Sequence, residues 1–465
     1  MGSELLYDIE EEVTDLLSDL IRFDTTNPPG NETVAAKYLA ETLGEEGFTC
    51  EILESSPGRG SVITRLKGED DKPSLLLLSH LDVVAADANE WSVDPFSGLV
   101  KARFVWGRGA LDMKFITAIE VMVMKLLKRN GIQPKGDVIL AATADEEAGG
   151  RAGVHWLVHN YPEKIRADYV INEGGGFGLP INGRLMFTVQ TAEKGVMWLK
   201  IRAKGRPGHG SIPGAADNAV LRMAEVAHRL GSHRSKIKVV PTVKAFIEGL
   251  ARTRKGAVPS RLLSNLITNP LLADRALDRM TKEQPSMVEF IRAMLRTTIA
   301  PTIIHGGVKT NIIPSRCEGT FDCRILPGQT KESLMDEITG VLKDMDLEKL
   351  EFEFDKTDTP SESPIKTPLY GEIKNVLKEF APDCGVVPFM QTGGTDSRFL
   401  RKLGCVCYGF GPMRVDLPVD EFLRMPHGID ERISIENLVF GTSVLYRLVE
   451  RFMTWQSFEG STQNK

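Results

Sequence analysis

The chain has 465 residues, with 57 Lys plus Arg against 63 Asp plus Glu and a formal charge of −6. A single hydrophobic core stops growing at roughly 250 to 300 residues, so two domains are expected. Hydrophobic content of 42% and charged content of 26% suit a globular enzyme; no apolar run approaches the ~20 residues of a membrane span, and the acidic balance without a basic block argues against nucleic acid as the main partner.

The N-terminus, MGSELLYDIEEEV, is acidic and lacks the apolar core of a signal peptide, which predicts a cytoplasmic location. From Asp8 to Arg22 the apolar residues Ile9, Val13, Leu16, Leu17, Leu20 and Ile21 recur at helical spacing, and TTNPPGNE ends that helix. A second helix is predicted at about 32–45. Short apolar runs follow: CEILE, SVITRLKG, SLLLLSH, DVILAATADEE and DYVINEGG, with an amphipathic helix around Met113 to Arg129 between the third and fourth. Strands alternating with helices predict an α/β layer with a largely parallel sheet, whose ligands bind outside the carboxyl ends of the strands.

After Glu193 the pattern changes. The strand VMWLKIRAKG, the helix NAVLRMAEVAHRL, the strands PTIIHGG and CEGTFDCRIL, a helix near Lys331 to Lys343 and the strand KLEFEFD spell β-α-β-β-α-β. That is a ferredoxin-like α+β order, placed at 192–357, with a largely helical insertion near 236–300. The linker TDTPSESP returns the chain to the first domain, which then comprises 1–191 and 358–465. Its last elements are a helix near Gly371 to Phe380, a strand at GCVCYGF and a helix near Ile435 to Met453. The six cysteines have no CxxC spacing and are read as reduced, with Cys405 and Cys407 as buried strand residues.

Three strand runs end in acids or imidazole. SLLLL delivers His80 and Asp82, DVILAATA delivers Asp145, Glu146 and Glu147, and DYVIN delivers Glu173. His80, Asp82, Asp112, Glu146, Glu147, Glu173 and His427 would give a mixed imidazole and carboxylate set suited to zinc, with cobalt or manganese as substitutes. One Asp can bridge two ions through its two oxygens, and a carboxylate beside them that is not a ligand can act as general base. Asp145 reads as structural, and Trp91 as a packed loop aromatic.

The pieces SHLDVV, WGRGALDMK, TADEEAGG, VINEGG, GRPGHGSIP, KTNIIPS, FDCRILPG, GGTDSRF and MPHGIDERI occur in this order over nearly the whole chain. Together they closely resemble the co-catalytic zinc hydrolase family of aminoacylases, glutamate carboxypeptidases, acetylornithine deacetylase and succinyl-diaminopimelate desuccinylase. The resemblance implies a zinc-peptidase-like catalytic domain interrupted by a lid and dimerisation domain. It makes His80 and Glu173 ligands of one Zn2+, Glu147 and His427 ligands of the other, and Asp112 the bridge, joined to Met113 by a cis peptide. Asp82 orients His80, and Glu146 is the general base. His209 reaches the active site of a partner subunit in a homodimer. Asn311 and Arg324 contact the carboxylate end of the substrate, and Gly393, Gly394 and Thr395 line its pocket. Met113 departs from the many members with Asp there, and the stretch from Ser235 to Pro301 resembles the carboxypeptidase and N-acyl-amino-acid hydrolase branch. The implied activity is metal-dependent hydrolysis of an N-acyl-amino acid or short peptide with a free carboxylate; a biosynthetic deacylase, an aminopeptidase and a non-catalytic binding protein on the same fold are the alternatives.

Overall fold

The computed structural model describes residues 3–70, 73–253, 260–281 and 285–454. The chain forms two compact units, the first running to Thr191 and taking in Ser363–Phe389 and the residues from Thr395 onward, the second holding Ala192–Glu362 and Met390–Gly394. The return to the first unit therefore falls at Ser363 and not at 358. The reason is backbone pairing: Asp358 N still donates to Val196 O at 2.8 Å, and Ser361–Glu362 pairs antiparallel with Ala192–Glu193. The excursion at 390–394 has no sequence signal; Lys194 N donates to Gln391 O at 3.0 Å. It carries Gly393 and Gly394 into the second unit and leaves Thr395 in the first, a division that the reading of all three as one catalytic-domain loop does not contain.

In the first unit the strands follow the order Cys50–Glu54, Gly60–Leu66, Val138–Thr143, Leu75–His80, Tyr169–Asn172, Val406–Gly409, then the strand starting at Arg184, Phe177–Ile181 and Met413–Arg414. The four from Val138–Thr143 to Val406–Gly409 are parallel, so their carboxyl ends open on one edge. Every residue of Leu75–His80 and Val138–Thr143 is buried. Leu75 and Leu77 pack into a core with Leu16 and Leu20 of the helix Ser3–Arg22, Ile119 and Val123 of the helix Lys114–Arg129, and Leu445 of the helix Ile435–Thr454. Leu76 and Leu78 face the other way, onto Val154, Leu157, Phe399 and Leu400. Helices on both faces are why these strands read as unbroken apolar runs and not as alternation. Truncating one such leucine to alanine costs about 2–5 kcal/mol. Cys405 and Cys407 are buried here, and none of the six cysteines is in a disulfide. No helix among the described residues is long and apolar enough to cross a membrane.

The second unit has a four-stranded antiparallel sheet in the order Thr298–Gly306, Arg316–Ile325, Gly195–Lys204, Leu350–Thr357. With the helices Ala219–Ser232 and Lys331–Val341 this is the ferredoxin-like order. The inward residues Leu199, Ile201, Phe321 and Cys323 pack on Met223, Val226, Leu334 and Ile338, and Trp198, Lys200, Arg202, Thr320 and Asp322 between them are half-buried or exposed. Helices at Pro241–Ala251, Ser260–Thr268, Ala273–Met280 and Pro285–Leu295 form the insertion. The strand Thr298–Gly306 lies at the sheet edge with Ile303 and Ile304 exposed, 48% and 51%.

Candidate metal centre

His80 closes its strand with a ring that is 2% exposed. Its Nδ1 lies 3.0 Å from the carbonyl oxygen of Asp82. A carbonyl can only accept, so Nδ1 carries a proton and Nε2 is the nitrogen left to face a metal ion. That Nε2 has no hydrogen-bond partner; it points at Asp112 Oδ1, 3.4 Å away, and Glu173 Oε2, 3.9 Å away. On the far side of Asp112, Oδ2 lies 3.1 Å from His427 Nε2, which is also 3.2 Å from Glu147 Oε2. Two groups result, His80–Asp112–Glu173 and Asp112–Glu147–His427, each with its ligand atoms within 4.8 Å of one another. Asp112 offers one oxygen to each.

Local structure holds these side chains in place. The Asp112–Met113 peptide is cis, and Met113, 1% exposed, turns its sulfur to accept from His80 N at 3.4 Å. The helix behind it begins at Lys114, one residue later than Met113. Glu173 follows the strand Tyr169–Asn172, against which Gly409 lies so closely that a Cβ there would meet Glu173 O at 1.9 Å. His427 sits at φ 59°, a conformation that costs a residue other than glycine about 1–3 kcal/mol, and its side chain is 52% exposed, so it forms the open edge of the cluster.

Asp82 is fully buried and acts on the neighbouring turn. Its Oδ1 accepts from Glu146 N at 3.0 Å, and its Oδ2 accepts from Glu147 N at 3.0 Å and from Asn27 Nδ2 at 2.8 Å. Asp145 is structural: at φ 72° it accepts from Ala152 N, Asn27 Nδ2 and Arg59 Nη2. The adjacent glutamates diverge. Glu147 joins a ligand group, whereas Glu146 faces Arg398, whose Nη1 is 3.7 Å from Oε1.

Burial, with the charges of Glu173 and Asp396, pushes Glu146 well above the usual carboxylate range. Burial also lifts Glu173 to about 8 and Asp396 to about 7. Hydrogen bonds to Asp112 and Glu147 raise His427 to about 10. Asp112 moves the other way: burial works against its charge, but the bonds to His427 and His80 hold it below the ordinary range. A cluster that raises Glu146, Glu173 and His427 together is short of positive charge. With the bare His80 Nε2 and a Glu147 Oε1 that is likewise buried without a partner, the donor set fits two divalent cations.

The remaining predicted residues lie elsewhere. His209 and Asn311 come together in the second unit, where Gly208–His209 pairs with Ile312–Ile313 and Gly210 N donates to Asn311 O at 2.8 Å. His209 is exposed, and its Nδ1 accepts from Ser211 N at 3.2 Å. Arg324, on the strand Arg316–Ile325, gives its fork to Asp322, with Nε at 2.7 Å and Nη2 at 3.0 Å. Thr395 is 1% exposed in the first unit. Several residues of the centre escape sequence reasoning: Asn27, Arg108, Asp396, Arg398 and Glu431. All but Asn27 lie inside motifs already singled out, and a charged residue beside a ligand in such a motif is the signal that could have found them.

Residues 76–451 match the profile of peptidase family M20/M25/M40. The chain belongs to that family. Its curated relatives include the human N-fatty-acyl-amino acid synthase/hydrolase PM20D1, 27% identical with 90% of this chain and 82% of that protein covered, and rat (Rattus norvegicus) aminoacylase-1B, 26% identical with 96% and 97% covered. Among solved structures, the M20 family metallo-carboxypeptidase Sso-CP2 of Sulfolobus solfataricus superposes with a TM-score of 0.71 at 17% identity, covering 98% of this chain and 100% of that one. At that identity the match speaks for the fold, a mixed α/β architecture.

Proposed function

We propose that the chain is a two-zinc hydrolase that cleaves the amide bond of an N-acyl-amino acid or short peptide bearing a free carboxylate. The observation carrying this reading is the sharing of Asp112 between two ligand groups, one oxygen to each. His80 and Glu173 would hold one ion, Glu147 and His427 the other, and Asp112 both, with cobalt or manganese as substitutes. When bound, such a pair polarises a carbonyl and makes a water easier to deprotonate. Glu146 takes the proton of the attacking water and delivers it to the leaving amine; burial raises its affinity for a proton, which favours the uptake. Asp82 keeps Glu146 and Glu147 in their separate directions through the two backbone amides it accepts from.

For the substrate, Asn311 and Arg324 would receive the carboxylate, with Arg324 exchanging Asp322 for it, and Gly393, Gly394 and Thr395 would line the pocket. Acyl-amino acids are favoured as substrates by the names of the human and rat relatives. Homodimerisation through the second unit is supported by its exposed edge strand with Ile303 and Ile304, since an uncovered edge is a template for pairing, and His209 would then act in the partner subunit's site. The test profiles the zinc-loaded protein on N-acetyl-amino acids, longer N-acyl-amino acids, dipeptides, N-succinyl substrates and their carboxyl-amidated forms. Free acids should be cleaved and amides poorly. Equal cleavage of both would replace this reading with an aminopeptidase.

A further inference from the structure

The ligands of the two ions do not share the same kind of support. His80 ends one strand at the centre of the parallel sheet, paired with Thr143, and Glu173 directly follows the neighbouring strand. Asp112 and His427 belong to two loops, and a buried ion pair joins those loops. Arg108, with its side chain 3% exposed, donates from Nη1 to Glu431 Oε2 at 2.7 Å, and the Glu431 side chain is completely buried. The other carboxylate oxygen, Oε1, accepts from Leu111 N at 2.6 Å and from Asp112 N at 2.9 Å. Arg108 Nη2 donates at 2.8 Å to the carbonyl of Gly428, the residue after His427. The guanidinium is covered by the Trp91 ring, 5.2 Å from its centroid. Gly107 N donates to Glu431 O at 2.9 Å, and beyond it the strand Phe104–Trp106 pairs with Arg432–Ser434.

Glu431 thus grips the amide of Asp112 while Arg108 grips the carbonyl of Gly428, one residue past His427, and the two are bonded to each other. Neither of these two side chains is replaceable in that geometry by a neighbour: a carboxylate is needed to accept two amides on one oxygen and a guanidinium on the other, and a planar fork is needed to reach a carboxylate and a carbonyl at once.

We propose that Arg108 and Glu431 are positioning residues that set the separation of Asp112 from His427, and thereby the affinity of the Asp112–Glu147–His427 group for its metal ion. This inference rests on the two-ion reading. Of the three ligands in that group, two depend on the pair; in the His80–Asp112–Glu173 group only Asp112 does. Disturbing the pair therefore weakens one binding step much more than the other. Residues that orient ligands in this way typically contribute 10- to 100-fold to metal affinity.

The experiment titrates Zn2+ into chelator-stripped full-length protein against a chromophoric competitor, for the unmutated chain, Glu431→Gln and Arg108→Lys. In Glu431→Gln the amide can keep Oε1 toward Leu111 and Asp112 only by turning NH2 toward Arg108. In Arg108→Lys the net charge is retained and the fork is lost. The expected result is two ions in the unmutated chain and, in both variants, a second step weakened at least ~10-fold with a first step changed less than ~3-fold. Excess Zn2+ should then return kcat with KM unchanged. Should Glu431→Gln lose its folded circular dichroism, Arg108→Lys carries the test. Equal weakening of both steps in Glu431→Gln with none in Arg108→Lys would mean that charge alone matters and would overturn the inference, as would unchanged affinities in both. An unmutated chain that takes up one ion overturns the two-ion reading and this inference with it.

Discussion

Glu146 and Glu147 are consecutive residues on one turn, yet one meets His427 and the other Arg398. Their isosteric amides should separate the roles. Glu146→Gln should keep two metal ions and the fold while kcat falls by at least about two orders of magnitude, because a positioned base contributes 10² to 10⁴. Glu147→Gln should lose metal affinity first. Elemental analysis beside steady-state kinetics measures both, and reversed phenotypes would exchange the assignments. The residues of this centre differ in how legible they are. His80, Glu147 and Glu173 stand just past apolar runs, so the strand pattern alone points to them. Asp112 and His427 need the motif. Arg108 and Glu431 are charged residues in polar loops whose meaning lies in each other, 323 positions apart, and no local pattern carries that.

At the scale of elements, the runs that are buried on both faces are readable because nothing interrupts them, and the helices at 32–45 and 114–129 because their apolar residues repeat. The hairpin of Phe177–Ile181 with the strand from Arg184 is missed, although Asn182 and Gly183, at φ 52° and 76°, form the Asn-Gly turn that favours a tight hairpin. The strand Gly385–Gln391 is missed as well, with Pro388 inside it where a proline argues against a strand. One helix end makes a pH prediction. Lys194, 1% exposed, donates from Nζ to the carbonyls of Ala293 and Arg296 at the end of the helix Pro285–Leu295 and to Thr298 Oγ1. Burial, helped by Arg324, pushes its pKa down to about 7. A base whose folded pKa is lowered binds fewer protons folded than unfolded between about 7 and the unfolded value near 10.4, so stability should rise with pH across that window, by up to about 1.4 kcal/mol per unit. Urea midpoints between pH 7 and 9 should climb, and Lys194→Met should flatten the climb. A falling midpoint in the unmutated chain that Lys194→Met leaves unaltered would reject this account.

For the whole molecule, the proposed homodimer makes a prediction that no single chain can. If His209 acts across the dimer, Glu146→Ala and His209→Ala are each inactive alone, His209→Ala by roughly 10² to 10³ in kcat. Their heterodimer has one site with both defects and one with neither. Purified through two different tags, it should regain up to about half the activity of an intact dimer. No recovery in a verified heterodimer would confine His209 to its own chain or deprive it of a role.

The strand Val406–Gly409 lies between Tyr169–Asn172 and the strand from Arg184, although more than two hundred residues separate it from either in the chain. On the ribosome this reverses the usual order of events. The second unit is nearly continuous and has all four strands of its antiparallel sheet once Thr357 has emerged, while the first waits with an unfilled slot in its sheet until Gly409 follows. At about 5–20 residues per second that wait lasts on the order of several seconds, during which the leucine runs that will become its core have no complete partner. Nascent chains arrested with Ala381 just outside the exit should therefore resist pulse proteolysis over the second unit and be cut between Leu75 and Asn172, and extension past the C-terminal helix should close those cuts. The chain would be built from its second unit to its first, with the candidate metal ligands assembled last, since His427 leaves the ribosome after the other four.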